Sequence, residues 1–98
     1  MQSPTPIPPP APTPNPVSLE LKRDLYYGIG GEDVRLLQKF LNTHGYTISL
    51  TGNGSPGNEI PYFGPGTRAA VIKFQLANTI SPAIGYVGPI TRAVINSF

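Results

Sequence analysis

The chain has 98 residues, a net charge of +2, 13 prolines and no cysteine. That excludes a disulfide scaffold and thiolate metal sites. With no Lys/Arg stripe on one face it excludes nucleic acid as a partner, and no apolar run approaches the about 18 residues that a membrane span needs. The length suits one small domain.

Residues 1–18 read as an arm. Eight of the first sixteen residues are proline, from Pro4 to Pro16, and all twelve charged residues lie from Glu20 onward. Such a run favours polyproline II, which rises ~3.1 Å per residue and gives a reach on the order of 50 Å. Its expected role is a stiff spacer. The alternative is a docking arm, for which Pro6-Ile7-Pro8-Pro9 supplies a Pro-x-x-Pro spacing. Met1-Gln2-Ser3 has neither the basic nor the apolar part of an export signal.

Residues 19–98 form the expected folded unit, all-α, with three helices and an internal helix-turn repeat. The first helix is predicted over 31–44. Leu36, Leu37, Phe40 and Leu41 fall within a stripe of roughly 160°, while Arg35, Gln38, Lys39 and Asn42 take the wet side. Glu32 and Asp33 suit its positive end, Gly45 its left-handed exit, and His44 the negative end of its dipole. The segment Thr47–Pro61 is a long loop, too rich in Gly and Asn for helix or strand.

The second helix is predicted over 65–78. Ala69, Ala70, Val71, Ile72, Phe74, Leu76 and Ala77 surround nearly the whole cylinder, which makes it the expected central element. The third runs from Pro89 to near the C-terminus, with Ile90, Ala93, Val94 and Phe98 apolar and Arg92 and Asn96 sharing an exposed face. Residues Tyr62–Phe74 recur as Tyr86–Phe98, with Tyr, Gly, Pro, Thr, Arg, Ala and the final Phe identical. Each copy is a tight turn with proline at the first helical position, where no N–H is needed. Thr67 and Thr91 are expected to cap the first turns. The chain stops flush with a repeat unit, as a natural C-terminus would.

The order of motifs resembles that of the peptidoglycan-binding-like domain family of bacterial cell-wall proteins. It starts with the Gly-rich run into Asp-Val-x-x-Leu-Gln-x-Phe-Leu, from Gly28 to Leu41, and continues with Gly45-Tyr46. The blocks Tyr62 to Gln75 and Gly85 to Thr91 complete it, so that the resemblance covers about 22–98. It implies a three-helix bundle outside the cytoplasm, secreted or wall-associated, that binds peptidoglycan glycan or stem peptide without catalysis. A competing role is a structural one, in which the same fold contacts neighbouring copies or a fused domain through the arm.

Catalytic patterns fail on chemistry. Gly52-Asn-Gly-Ser-Pro-Gly57 has dinucleotide-type spacing but no following helix, His44 is the single histidine, and Glu32 and Asp33 are adjacent and point apart. No cofactor or metal is expected. If a groove exists, the starts of the repeated helices should line it. Tyr62 and Tyr86 suit stacking on sugars, and Arg68 and Arg92 can pair bidentately with a carboxylate. Gln75 lies about 20° from Arg68 on the helical wheel. The alternative for these five is structural: Tyr and Arg bracing the turns, and Gln38 and Gln75 tying helices to loops.

Overall fold

The computed structural model describes residues 19–98; the proline-rich segment 1–18 lies outside them. Three helices follow in order, α1 Glu32–Thr43, α2 Pro65–Ala77 and α3 Pro89–Asn96. Among the described residues there is no strand, only two isolated antiparallel bridges, Leu25 with Val87 and Gly30 with Tyr62. The unit is all-α, and its helix limits fall within one or two residues of those read from sequence.

Each helix begins and ends for a local reason. Gly64 and Gly88 are the N-caps of α2 and α3, followed by Pro65 and Pro89 at the first helical position. After α1, the Tyr46 N–H donates to Leu41 O at 2.8 Å and Gly45 sits at φ 88°. After α2 the same reversal recurs, with the Ile80 N–H donating to Gln75 O at 2.8 Å. Here Thr79 takes the left-handed position at φ 57°, where a β-branched residue is strained. The core gathers Leu21, Leu25, Val34, Leu37, Phe40, Leu41, Phe63, Val71, Phe74, Val87 and Ile95. Each such side chain taken from water contributes about 1.5–3 kcal/mol. Phe74 lies at the centre of the aromatic packing, edge-on to Phe40 at 5.7 Å and to Tyr46 at 5.4 Å.

The helix faces differ from the apolar patterns in three ways. On α1, Gln38 is buried and Leu36 is exposed, because the polar side chain has partners inside and the leucine does not. On α2, only one face is covered: Ala70, Val71 and Phe74 are buried, whereas Leu76 is 67% exposed and Ala69 and Ala77 face water. Apolar residues all round the cylinder therefore overstate its burial. On α3, the Arg92 and Asn96 face is not free. Asn96 exchanges two hydrogen bonds with the Leu21 backbone, at 2.7 and 3.1 Å, and Arg92 pairs with Asp24, so residues 21–24 lie along that face.

This entering segment organises the rest. Leu25 and Val87 exchange both backbone bonds, at 3.1 and 2.8 Å, and the Phe63 N–H donates to Ile29 O at 3.0 Å. Residues 21–31 thus lace together the two turns that open α2 and α3.

Candidate functional site

Two buried glutamines build the two turns alike. The Gln38 amide, on α1, donates to Tyr62 O at 2.8 Å and to Thr67 Oγ1 at 2.9 Å, while its oxygen accepts from the Ile60 N–H at 2.8 Å. Gln75, on α2, repeats the pattern one turn later: it donates to Tyr86 O at 2.8 Å and Thr91 Oγ1 at 3.2 Å and accepts from the Gly85 N–H at 2.9 Å. Both side chains are 1% exposed. All three amide functions are satisfied in each, as a buried amide requires. Thr67 and Thr91 are accordingly hydroxyl partners of the glutamines, and neither helix has a side-chain cap. Each tyrosine ring folds back over the glycine two residues on. A Cβ on Gly64 or Gly88 would lie 3.3 Å from the ring carbons of Tyr62 or Tyr86, so any larger residue crowds the turn.

The clefts beside the turns differ in character. The first, of about 310 Å³, lies between the long loop and the start of α2, with Ile48, Asn53, Ile60, Tyr62 and Thr67 on its walls. Asn42 holds the loop that forms it, donating to Gly54 O at 3.0 Å and Glu59 Oε2 at 2.9 Å and accepting from the Ile48 N–H at 2.8 Å. Burial works against the Glu59 charge, but the bonds from Asn42 and from backbone N–H groups outweigh it and hold its pKa below the ordinary value. The second cleft, of about 170 Å³, is apolar, with Ile80, Pro82, Ile84, Tyr86, Pro89 and Ile90 around it.

A third depression, of about 250 Å³, joins the two repeats. Tyr26, Tyr27, Arg68, Ile84, Gly85 and Tyr86 line it. Tyr26 and Tyr86 stack at 5.5 Å with their planes 8° apart. The Tyr86 hydroxyl donates to Asp24 at 2.7 Å, and Asp24 pairs with Arg92 at 3.0 Å. The hydrogen bond to the Asp24 carboxylate, foremost, holds the Tyr86 phenol above its ordinary pKa. The aromatic wall is therefore fixed at both edges, by stacking and by a charge-assisted bond.

Residues 30–95 match the family model of a peptidoglycan binding domain. The chain belongs to the peptidoglycan-binding domain family. No curated protein and no solved structure matches it significantly.

Within this peptidoglycan-binding domain the five expected site residues separate. Arg68 and Tyr86 come together in the third depression, while Tyr62 stands apart in the first cleft. Arg92 lies behind Tyr86 with its charge engaged by Asp24. Gln75 is buried beneath the second turn, at the edge of the second cleft, with its amide bonded to Tyr86 O, Thr91 Oγ1 and the Gly85 N–H. Sequence reading missed Asp24, Tyr26 and Tyr27. The adjacent tyrosines just before the Gly-rich run were a visible signal, but their closeness to Tyr86 depends on the Leu25–Val87 bridge, which no local pattern encodes.

Proposed function

We propose that the chain is a non-catalytic module that holds an attached secreted protein on peptidoglycan, in an extracellular or wall-associated setting. The observation that carries this reading is the family match over 30–95, which spans all three helices almost entirely. The disposition of the titratable groups supports a binding role. His44, the single histidine, has Nδ1 at 2.8 Å from Phe40 O, a partner that can only accept, and its ring packs between Phe40 and Phe98. It is a helix-terminal packing residue, poorly placed for a general base. The carboxylates of Asp24 and Asp33 are engaged by Arg92 and Arg23. The exposed tyrosines Tyr26, Tyr27, Tyr62 and Tyr86 offer rings for stacking on sugar faces. The proline-rich residues 1–18 then supply reach between this module and its neighbour.

Co-sedimentation with purified sacculi tests the reading. The full chain pellets at low salt and is released progressively as salt rises, because part of the attraction is electrostatic. Retention of all the protein in the supernatant at low salt, with helical circular dichroism intact, overturns it.

A further inference from the structure

The two repeats are not equivalent in charge. Arg68 and Arg92 occupy matching positions, each at the fourth residue of its helix. Arg92 is neutralised by Asp24, the residue just before Leu25, which bridges the second turn. In the corresponding stretch beside the first turn, Gly28 donates its N–H to Phe63 O and Ile29 accepts the Phe63 N–H. The residue preceding that contact is Tyr27, which is not an acid. Every acidic side chain of the protein lies among the described residues, and there Arg68 has no ion-pair partner.

Arg68 is nevertheless positioned. Its aliphatic stem lies against Gly85, where a Cβ would come within 2.6 Å of Arg68 Cγ and 3.1 Å of its carbonyl oxygen. Gly85 is itself buried, at φ 84°, with its N–H held by Gln75. Around the arginine stand Tyr26, Tyr27, Ile84 and Tyr86. The nearby Asp24 carboxylate is already engaged by Arg92 and the Tyr86 hydroxyl, so it opposes an incoming anion only weakly.

We infer that the depression formed by Tyr26, Tyr27, Ile84 and Tyr86 around Arg68 is a subsite for a free carboxylate that adjoins an apolar or flat face. The guanidinium takes the carboxylate bidentately, and the ring wall and Ile84 take the hydrocarbon beside it. This deepens the wall-binding reading and rests on it for the biological source of the group. That source is a peptide C-terminus or an acidic sugar, which share this chemistry.

The test is an NMR titration of the full chain, following the Arg68 side-chain N–H and the ring signals of Tyr26, Tyr27 and Tyr86. N-acetyl-D-alanyl-D-alanine and N-acetylmuramic acid are the carboxylate probes, and the dipeptide amide and N-acetylglucosamine their neutral counterparts. At least one carboxylate probe shifts these signals, and which one does identifies the source. Its neutral counterpart binds about tenfold more weakly or not at all. Arg68→Gln loses about tenfold in affinity, Arg68→Lys retains an intermediate affinity because it keeps the charge without the fork, and Lys73→Gln, which lies outside the depression, leaves binding unchanged. Equal binding of neutral and charged probes, shifts that map elsewhere, or an Arg68→Gln variant that is folded and titrates like the parent overturns the subsite. The sacculus assay fails separately. Sacculus binding that persists in Arg68→Gln with no carboxylate titration removes this inference and leaves the wall-binding reading. Carboxylate titration without sacculus binding does the reverse.

Discussion

Replacing Gln75 by leucine separates a structural glutamine from a ligand-binding one. The two side chains are close in volume, so cavity formation contributes little and the loss is one of hydrogen bonding. Three partners are left: the buried Gly85 N–H, the Tyr86 carbonyl and Thr91 Oγ1. An unsatisfied buried backbone donor alone costs about 1–3 kcal/mol, and the hydroxyl and the carbonyl, which regain water more easily, add less. The expected loss is about 2–4 kcal/mol, a large share of the 5–15 kcal/mol typical of a domain. Urea unfolding followed by far-ultraviolet circular dichroism measures it, with the midpoint falling and the slope nearly constant. Gln38→Leu strands the Ile60 N–H, the Tyr62 carbonyl and Thr67 in the same manner and should cost a similar amount. A loss under about 0.5 kcal/mol for either variant would refute the reasoning, and sacculus binding lost from a Gln75→Leu protein of unchanged stability would return Gln75 to the ligand site.

Three further outcomes follow from the packing and charges. Phe74→Ala removes the ring packed against Phe40 and Tyr46 and should lower stability by about 3–5 kcal/mol, whereas Lys73→Ala, on the exposed side of the same helix, should be nearly silent in the same urea titration. Thr79→Gly relieves the left-handed strain of a β-branched residue, worth about 1–2 kcal/mol, against about 0.5–1 kcal/mol of extra unfolded-chain entropy, so the thermal midpoint should rise slightly; a fall refutes the assignment. Asp33, held down chiefly by its hydrogen bond from Arg23, and Glu59 both have folded pKa values below their ordinary 3.8 and 4.5, so they stabilise the fold above those values and cease to as pH drops through the lower folded ones. The thermal midpoint should therefore decline from about pH 5 downward, and a flat profile to about pH 3 counts against both contacts.

The helices were legible because their signals are local: Gly-Pro starts, the acidic first turn of α1, and the glycine after His44. What apolar spacing could not show is which side of each cylinder finds a partner. Gln38 looked wet by its chemistry and is buried by its three bonds; Leu76 looked buried by its chemistry and is exposed because nothing packs on it. The partners of the Arg92 and Asn96 face were hidden for a related reason, although Asn96 itself is exposed as its chemistry suggests. They are residues 21–24, far away in sequence, joined by Asn96 to Leu21 and Arg92 to Asp24. Within the candidate site, Arg68 and Tyr86 were visible through the repeat, whereas Tyr26 and Tyr27 belong to no repeat and reach the site only through the fold.

The duplication also shows what a repeat conserves within one chain and what it releases. Both copies keep the hydroxyl that a glutamine of the preceding helix reaches, the glycine under the tyrosine ring and the proline at the helix start, since each satisfies a polar group or fits a gap that the turn cannot change. The surroundings are not bound in this way. One cleft is mixed in character and edged by a tethered loop, the other is apolar, and one arginine is paired while the other is not. Asp24 accounts for the last difference: it locks Arg92 and the Tyr86 hydroxyl into a fixed wall. The second copy thereby gives up its arginine to build the surface against which the arginine of the first copy is displayed. A single acid thus leaves one arginine of the repeat paired and the other without an ion pair.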